Sequence, residues 1–165
     1  MSQSSDFNII LQNLRELKNY YFEIGVPEVT RKNEGSSGVT NAQLMFIHEN
    51  GSPLRNIPSR PVLQMTIEYA KANILPKLID NCINAILNGK SMNDVELILN
   101  KAAIKIQKYA RQLIYSNDGR LAANAISTQR AKGMKVDKTG NTLINHPLFD
   151  TGQLARSIIC RVSKK

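Results

Sequence analysis

The chain has 165 residues, of which 42% are hydrophobic and 5% aromatic, values that suit one ordinary globular domain. Ile and Leu recur with a helical period over long stretches, which excludes disorder along the whole chain. The most apolar stretch, residues 74–87, contains Lys77 and Asp80 and is therefore not a membrane span. No basic region followed by an apolar run begins the chain, so we expect folding in a cytoplasm, with Cys82 and Cys160 reduced and buried.

Positive charge is concentrated in the last part of the chain. Lys and Arg number 22 against 13 Asp and Glu, which gives a net charge of +9. Residues 1–100 are close to neutral, so nearly all of the excess lies in residues 101–165. This asymmetry indicates a face that meets phosphates or another polyanion. A basic, solvated surface that only keeps the protein in solution is the alternative.

The N-terminal segment predicts a helix followed by a strand. Apolar side chains in 7–17 follow the i, i+3, i+4, i+7 spacing of a helix, and Asp6 is a suitable N-cap. Aromatic and β-branched residues at 20–26 favour a strand that ends at Pro27.

The next segment combines a loop, a short helix and a stiff turn. Residues 30–40 have turn composition and no apolar face, which predicts a mobile loop. Residues 41–49 predict a helix that Asn50-Gly51 ends, with Ala42, Met45 and Phe46 on one side. Three prolines between positions 53 and 61 forbid a helix there and favour an extended path.

Two long helices are predicted in the middle of the chain. Pro61 suits the first position of one helix, which Pro76 must bend or restart and Asn88-Gly89 ends. Its predicted apolar face consists of Leu63, Ile67, Ala70 and Ile74. Ser91 and Asp94 have the spacing of a capping box ahead of the second helix. Beside its apolar seam this helix carries four cations that are candidates to face DNA, a channel or an acidic partner: Lys101, Lys105, Lys108 and Arg111.

The remaining residues predict short elements. Residues 121–130 indicate a short helix or a functional loop, and the polar, basic residues 131–145 an exposed, mobile loop. Residues 151–157 suit a helical turn and 158–162 a closing strand. Neither an internal repeat nor a domain boundary is visible, so we expect a single domain over residues 1–165.

Few residues offer catalytic or metal-binding chemistry. The histidines are His48 and His146, and the neighbours His48 and Glu49 point to different sides of a helix, so they cannot chelate one ion together. Cys160 lies in an apparent strand and is expected to be a half-buried structural thiol. Because carboxylates are sparse and phosphate-binding glycine loops are missing from the sequence, we predict no catalytic, metal or cofactor site.

Aromatic residues in the basic half number only three, too few for a base-stacking platform. A sequence-specific reader of nucleic acid is therefore not expected. A basic wall that DNA passes without being read is compatible with the charge.

Two motifs give the chain more individuality than its composition does. The first is Leu44-Met-Phe-Ile-His-Glu-Asn-Gly51 followed by Ile57-Pro-Ser-Arg-Pro-Val-Leu63. The second is Leu148-Phe-Asp-Thr-Gly-Gln-Leu-Ala-Arg-Ser-Ile158. Together they resemble the tail-completion and virion-morphogenesis proteins of long-tailed bacteriophages, which act at the head–tail junction. The matching residues are His48, Glu49, Gly51, Pro58, Arg60, Pro61, Asp150, Thr151, Gly152, Leu154, Ser157 and Ile158.

The sequence departs from this family at three positions. Asn50 stands where an aromatic residue is usual, Ser59 where Ala is common, and Val62 where Phe is common. The motif residues are expected to form turns and caps. Arg60 is expected to bond free carbonyls or a carboxylate such as Asp150. The alternative is that Arg60 or His48 contacts a neighbouring subunit directly.

The resemblance implies an α+β fold, with long helices packed on a small antiparallel sheet. It also implies a structural virion protein, not an enzyme, that forms a homo-oligomeric ring at the phage neck or tail end, with DNA passing through it. Portal or head-connector proteins and tail-tube or tail-terminator proteins would be its partners, with assembly in the host cytoplasm. The competing hypothesis is a free, basic, non-specific DNA-binding protein. A small hydrolase using Cys160 or His146 is a third.

Overall fold

The computed structural model describes residues 2–28, 38–133 and 146–165, with side chains from residue 6 onward. These described residues are mostly helical (63%) and contain one two-stranded antiparallel sheet, which confirms the predicted α+β class. Most of the two predicted loops, namely residues 30–37 and 134–145, lies outside the described residues. The elements are α1 Ser2–Leu17, β1 Tyr20–Gly25, α2 Asn41–Asn50, α3 Val62–Tyr69, α4 Leu75–Leu87, α5 Met92–Ser116, α6 Ile126–Lys132, α7 Gln153–Ser157 and β2 Ile159–Lys164.

The chain forms two compact units. The first unit consists of Met1–Ile24, Ile67–Gln107 and Cys160–Lys165, and the second of Gly25–Thr66 and Lys108–Ile159. Among the described residues, no helix is long and apolar enough to cross a bilayer.

Apolar packing between helices forms the core of the first unit. Buried side chains of α4 meet those of α5, because each helix carries an apolar stripe with a helical period. The buried cluster consists of Leu78, Cys82, Ile86, Val95, Leu99 and Ala102. Leu14 of α1, Phe22 of β1 and Val162 of β2 pack against this cluster and are partly buried.

The sheet joins segments that are far apart in the sequence. Strand β1 pairs with β2, and Lys165 N donates to Asn19 O at 3.0 Å beyond the end of the ladder. On the exposed side, Glu23 accepts hydrogen bonds from Arg161 and Ser163, which lowers the pKa of its carboxyl. Both predicted strands are confirmed in position, although β2 begins one residue later than expected.

A π-helical turn, Ala70–Ile74, connects α3 to α4. Pro76 lies in the first turn of α4, where its lack of an N–H group removes the hydrogen bond that an uninterrupted α-helix would make four residues upstream. The predicted restart at Pro76 is therefore confirmed. The predicted apolar face is wrong at Ile67, which is exposed, whereas Thr66 is buried and its hydroxyl donates to Val62 O at 2.7 Å.

Helix α5 begins with the predicted capping box. Ser91 Oγ accepts from Asp94 N at 3.2 Å, and the Asp94 carboxylate accepts from Ser91 N at 3.1 Å. These bonds satisfy two backbone donors that the first helical turn leaves free, and the Ser91 bonds lower the pKa of Asp94.

Two local predictions in the N-terminal part are wrong. Helix α1 begins at Ser2, so Asp6 lies inside the helix and is not its N-cap. In α2, Met45 is buried, but Phe46 is 70% exposed. Thr40 forms an additional capping box with Gln43 that the prediction missed.

Candidate functional site

The two sequence motifs line one cavity in the second unit. The cavity has a volume of about 510 Å³. Its wall includes His48, Pro58 and Arg60 from the first motif and Asp150, Thr151, Gly152 and Leu154 from the second. Residues of α6 and the segment before it, such as Asn124 and Lys132, complete the wall. Motifs about ninety residues apart in the sequence thus meet at one place.

A small backbone hairpin positions the first motif. Ser52 N donates to Ile57 O at 2.8 Å, and Ile57 N donates to Ser52 O at 3.0 Å. Gly51 has φ +74°, and a Cβ atom there would lie 2.8 Å from Ser59 N and 2.9 Å from Ile57 O. Both neighbouring atoms belong to the backbone and cannot rotate away. The glycine is therefore required by its conformation and by the close approach of the chain.

Arg60 is the polar centre of the second unit. Its side chain is buried, with Nε donating to Ala122 O at 2.7 Å and Nη2 donating to Ala123 O at 2.8 Å. The predicted bonding of Arg60 to free carbonyls is confirmed. Through these bonds, the planar guanidinium connects the start of α3 to the irregular segment before α6.

His48 lies against the guanidinium of Arg60. Arg60 Nη1 is 3.3 Å from His48 Nδ1, and because arginine can only donate, Nδ1 accepts and the proton of the neutral ring is on Nε2. Burial, together with the charges of Arg60 and Lys132, lowers the pKa of His48 to about 4. The imidazole is therefore neutral near pH 7 and acts as a hydrogen-bond acceptor.

Glu49 has a role that the sequence reasoning missed. Its carboxylate accepts from Leu63 N at 3.0 Å and from Gln64 N at 2.8 Å, so it caps the N-terminus of α3 from a different helix. Ser59 Oγ donates to Glu49 O at 2.6 Å and holds the two segments together. The sequence does contain a signal for this cap. The helix that begins at Val62, just after Pro61, leaves its first backbone amides without partners, and the glutamate of the preceding His-Glu pair can accept hydrogen bonds from them.

Lys132 is a second residue that the sequence reasoning missed. Its ammonium donates to His146 O at 2.9 Å and to Phe149 O, which connects α6 to the start of the second motif and to the segment just before it. The rings of His146 and Phe149 lie 4.7 Å apart, and Tyr115 meets Phe149 edge-on at 5.5 Å. Nothing in the sequence distinguishes this lysine from its basic neighbours.

The second motif forms a tight turn into α7. Gly152 has φ +75°, and a Cβ atom there would lie 3.0 Å from Arg156 Nη1 and 3.3 Å from the Phe149 ring. Thr151 Oγ1 accepts from Gln153 N at 3.4 Å, but the N-cap residue of α7 is Gly152, so the expected side-chain cap is not formed. Leu154 and Ile158 are buried. Ser157 Oγ donates to Leu154 O at 2.7 Å.

The four basic candidates on α5 differ in their surroundings. Lys101, Lys105 and Lys108 are exposed. Arg111 is half-buried and donates from Nη2 to Arg156 O at 3.0 Å and to Ile158 O at 2.9 Å. Arg111 thus holds the end of α7, and the three lysines form the accessible part of the predicted row.

The two cysteine thiols, which belong to the first unit, are not activated. Burial raises the pKa of both thiols, that of Cys160 to about 11. A thiol with a raised pKa is a poor nucleophile near neutral pH. Within the described residues, no cluster of three or more His, Cys, Asp or Glu side chains could hold a metal ion.

The polar residues around the cavity mainly connect backbone segments. Arg60, Glu49 and Lys132 each bridge two segments through main-chain groups, and His48 supports Arg60. Such an arrangement fixes the shape of a surface and does not by itself assemble a nucleophile with a base. Comparisons with protein-family models, with curated proteins and with solved structures find no match to this chain.

Proposed function

We propose that this protein is a structural component of a bacteriophage neck or tail end, where it serves in tail completion or head–tail joining. The observation that carries the proposal is the convergence of the two family-like motifs around one cavity of the second unit. The motif side chains there cap helices and bond backbone carbonyls. Residues used in this way favour a rigid assembly protein over an enzyme.

In this proposal, identical copies assemble into a ring through which DNA passes without being read. The second unit carries apolar side chains that a subunit contact would cover: Phe46 is 70% exposed, and Leu54 at the tip of the hairpin is 99% exposed. Contiguous apolar patches mark association surfaces, so the proposal requires a neighbouring copy to cover these two side chains together. Repeated weak interfaces around a ring add up to stable attachment.

The partners of the ring would be portal or head-connector proteins on one side and tail-tube or tail-terminator proteins on the other. The place of the protein would then be the virion, with assembly in the host cytoplasm. This part of the proposal rests on the resemblance of the motifs, and the net charge of +9 is compatible with a channel that carries DNA.

The test is complementation of a phage that lacks this gene, followed by electron microscopy of the particles. We expect tailless heads beside loose tails without the gene, and joined virions when it is restored. A complementing gene that encodes Leu54→Ser and Phe46→Ser is expected to join fewer particles. Mature virions that lack the polypeptide would contradict the proposal.

A basic, non-specific DNA-binding protein is the second candidate, favoured by the exposed row of Lys101, Lys105 and Lys108. It requires tight binding of the isolated chain to duplex DNA, with an affinity that falls steeply as salt rises. Filter binding at low and physiological salt separates the two candidates. Weak binding by the monomer leaves the assembly role as the better explanation.

A further inference from the structure

Helix α5 exposes two apolar side chains beside its lysines. Leu97 is 59% exposed and Ile104 is 65% exposed. They are two turns apart, about 10.5 Å along the helix axis, and therefore lie on the same side. Lys101 lies between them and Lys105 follows, both exposed. The opposite side of this part of α5 carries the buried stripe, so the helix is apolar on two sides and the described residues cover only one of them.

The combination of apolar and cationic side chains on this face favours a protein over DNA as its partner. Cationic side chains strengthen binding to a phosphate backbone, but Leu97 and Ile104 do not. Both apolar side chains would remain largely exposed to water in a complex with DNA. A protein interface has an apolar centre and a polar or charged rim. The exposed side of α5 has this composition, with two apolar side chains and the ammonium groups of Lys101 and Lys105 along one flank of them.

The charge of the chain excludes a second copy as the best occupant. The molecule carries nine more basic than acidic side chains. Five of its thirteen Asp and Glu side chains already accept hydrogen bonds within the same chain: Glu16, Glu23, Glu49, Asp94 and Asp118. A second copy would bring the same excess of positive charge to Lys101 and Lys105, whereas an acidic partner brings carboxylates.

We propose that the exposed side of α5 around Leu97, Lys101, Ile104 and Lys105 binds an acidic amphipathic helix of another protein. The partner helix would present apolar side chains with the same two-turn spacing, flanked by Asp or Glu. Its apolar side chains pack against Leu97 and Ile104, and its carboxylates pair with the lysines at the rim. This inference goes beyond the proposed assembly role and does not depend on it.

The experiment uses the full chain and three fluorescent probes. One is a designed helical peptide with Leu on one side and Glu on both flanks, the second has each Glu replaced by Lys, and the third is a short DNA duplex. Fluorescence anisotropy at physiological salt is expected to show that the Glu peptide binds at least about tenfold more tightly than either other probe. The double variant Leu97→Ser/Ile104→Ser is expected to weaken binding of the Glu peptide about tenfold. The double variant Lys101→Glu/Lys105→Glu is expected to reverse the preference between the peptides.

Matched variants of the same unit control for charge and hydrophobicity. Ile79→Ser/Leu87→Ser removes exposed apolar side chains from α4, and Lys71→Glu/Lys77→Glu reverses two other exposed lysines. Both are expected to bind the Glu peptide as the unchanged chain does, and thermal melts verify that every variant is folded.

Three results would overturn the proposal. One is equal binding of both peptides, or none. Another is tighter binding of the duplex that Leu97→Ser/Ile104→Ser leaves intact, which would assign the face to DNA. The third is self-association that both α5 variants abolish, which would assign the face to a second copy.

Discussion

In the first unit, side chains such as Ile86 and Val95 are buried between helices and contact other apolar groups. In the second unit, Arg60 and Lys132 donate to backbone carbonyls, and Glu49 accepts from backbone amides. Apolar packing has no preferred direction, so a helix tolerates some change as long as volume is kept. Hydrogen bonds from a guanidinium to two carbonyls require one residue type at one position. We therefore expect the two units to respond differently to substitution.

The largest expected effect is that of Gly51→Ala in the second unit. Its Cβ atom would lie within 3 Å of two backbone atoms, so the hairpin must move, and we expect a loss of about 4 kcal/mol in the free energy of unfolding. Urea denaturation followed by circular dichroism measures this loss. Gly89 in the first unit has nearly the same φ, +73°, but open space around it. Gly89→Ala is therefore the control, with an expected loss of about 1 kcal/mol. Equal losses would show that φ alone decides the cost.

The next effect concerns the apolar core of the first unit. Ile86→Ala leaves a cavity between α4 and α5 and is expected to cost about 3 kcal/mol in the same denaturation experiment. Leu87→Ala removes a neighbouring side chain that is mostly exposed, and it is expected to cost less than about 1 kcal/mol. A similar cost for both would contradict the assignment of the buried side of α4.

Arg60→Lys tests the directional bonding of the second unit. Lysine keeps the charge but cannot reproduce the forked bonds to Ala122 O and Ala123 O, so at least one buried carbonyl loses its partner. We expect a loss of about 2 kcal/mol. Arg55→Lys is the matched control, because Arg55 is exposed on the same segment. A loss no greater than that of the control would mean that charge alone suffices.

The low pKa of His48 is expected to make the stability of the fold depend on pH. The unfolded chain binds a proton with a pKa near 6.5 and the folded chain only near 4, so stability falls as pH is lowered through this window. Below about pH 4 this contribution is complete and declines no further. The variant His48→Gln keeps an acceptor for Arg60 and is expected to have a smaller slope between pH 6.5 and 4.

Melting temperatures of both proteins across this pH range measure the difference. Hydrogen bonds from Ser91 to Asp94 and from Arg120 to Asp118 lower the pKa of each carboxyl, so acid also destabilises the fold through them. These contributions are common to both proteins and cancel in the comparison. Parallel curves would contradict the burial of a neutral His48.

In both units, the sequence predicted the positions of the helices and strands better than it predicted which side of each helix is buried. Local signals were sufficient for both strands, the capping box at Ser91 and the restart at Pro76, because each depends on a few neighbouring residues. The buried side of α3 was misassigned because Thr66 is a polar residue that the sequence places on the exposed side. In the structure it is buried, and its hydroxyl is hydrogen-bonded within the helix. Phe46 was misassigned because an apolar side chain can also face outward, toward solvent or a partner.

At the candidate site, the motif residues were identified, but most of their partners were not. Arg60 was expected to bond carbonyls, yet the carbonyls of Ala122 and Ala123 carry no sequence signature. Lys132 was likewise one basic residue among many. Long-range partners of this kind depend on tertiary structure, which neither spacing nor composition encodes.

The pairing of β1 with β2 has a consequence for the order of events during synthesis. Glu23 and Arg161 face each other although 138 positions separate them along the chain. During translation, β1 is synthesised early, and its pairing partner β2 is synthesised only at the end of the chain. A lone pair of strands is weak, and closing so long a loop is entropically unfavourable. We therefore expect the helices to pack first and the two strands to pair as a late step of folding.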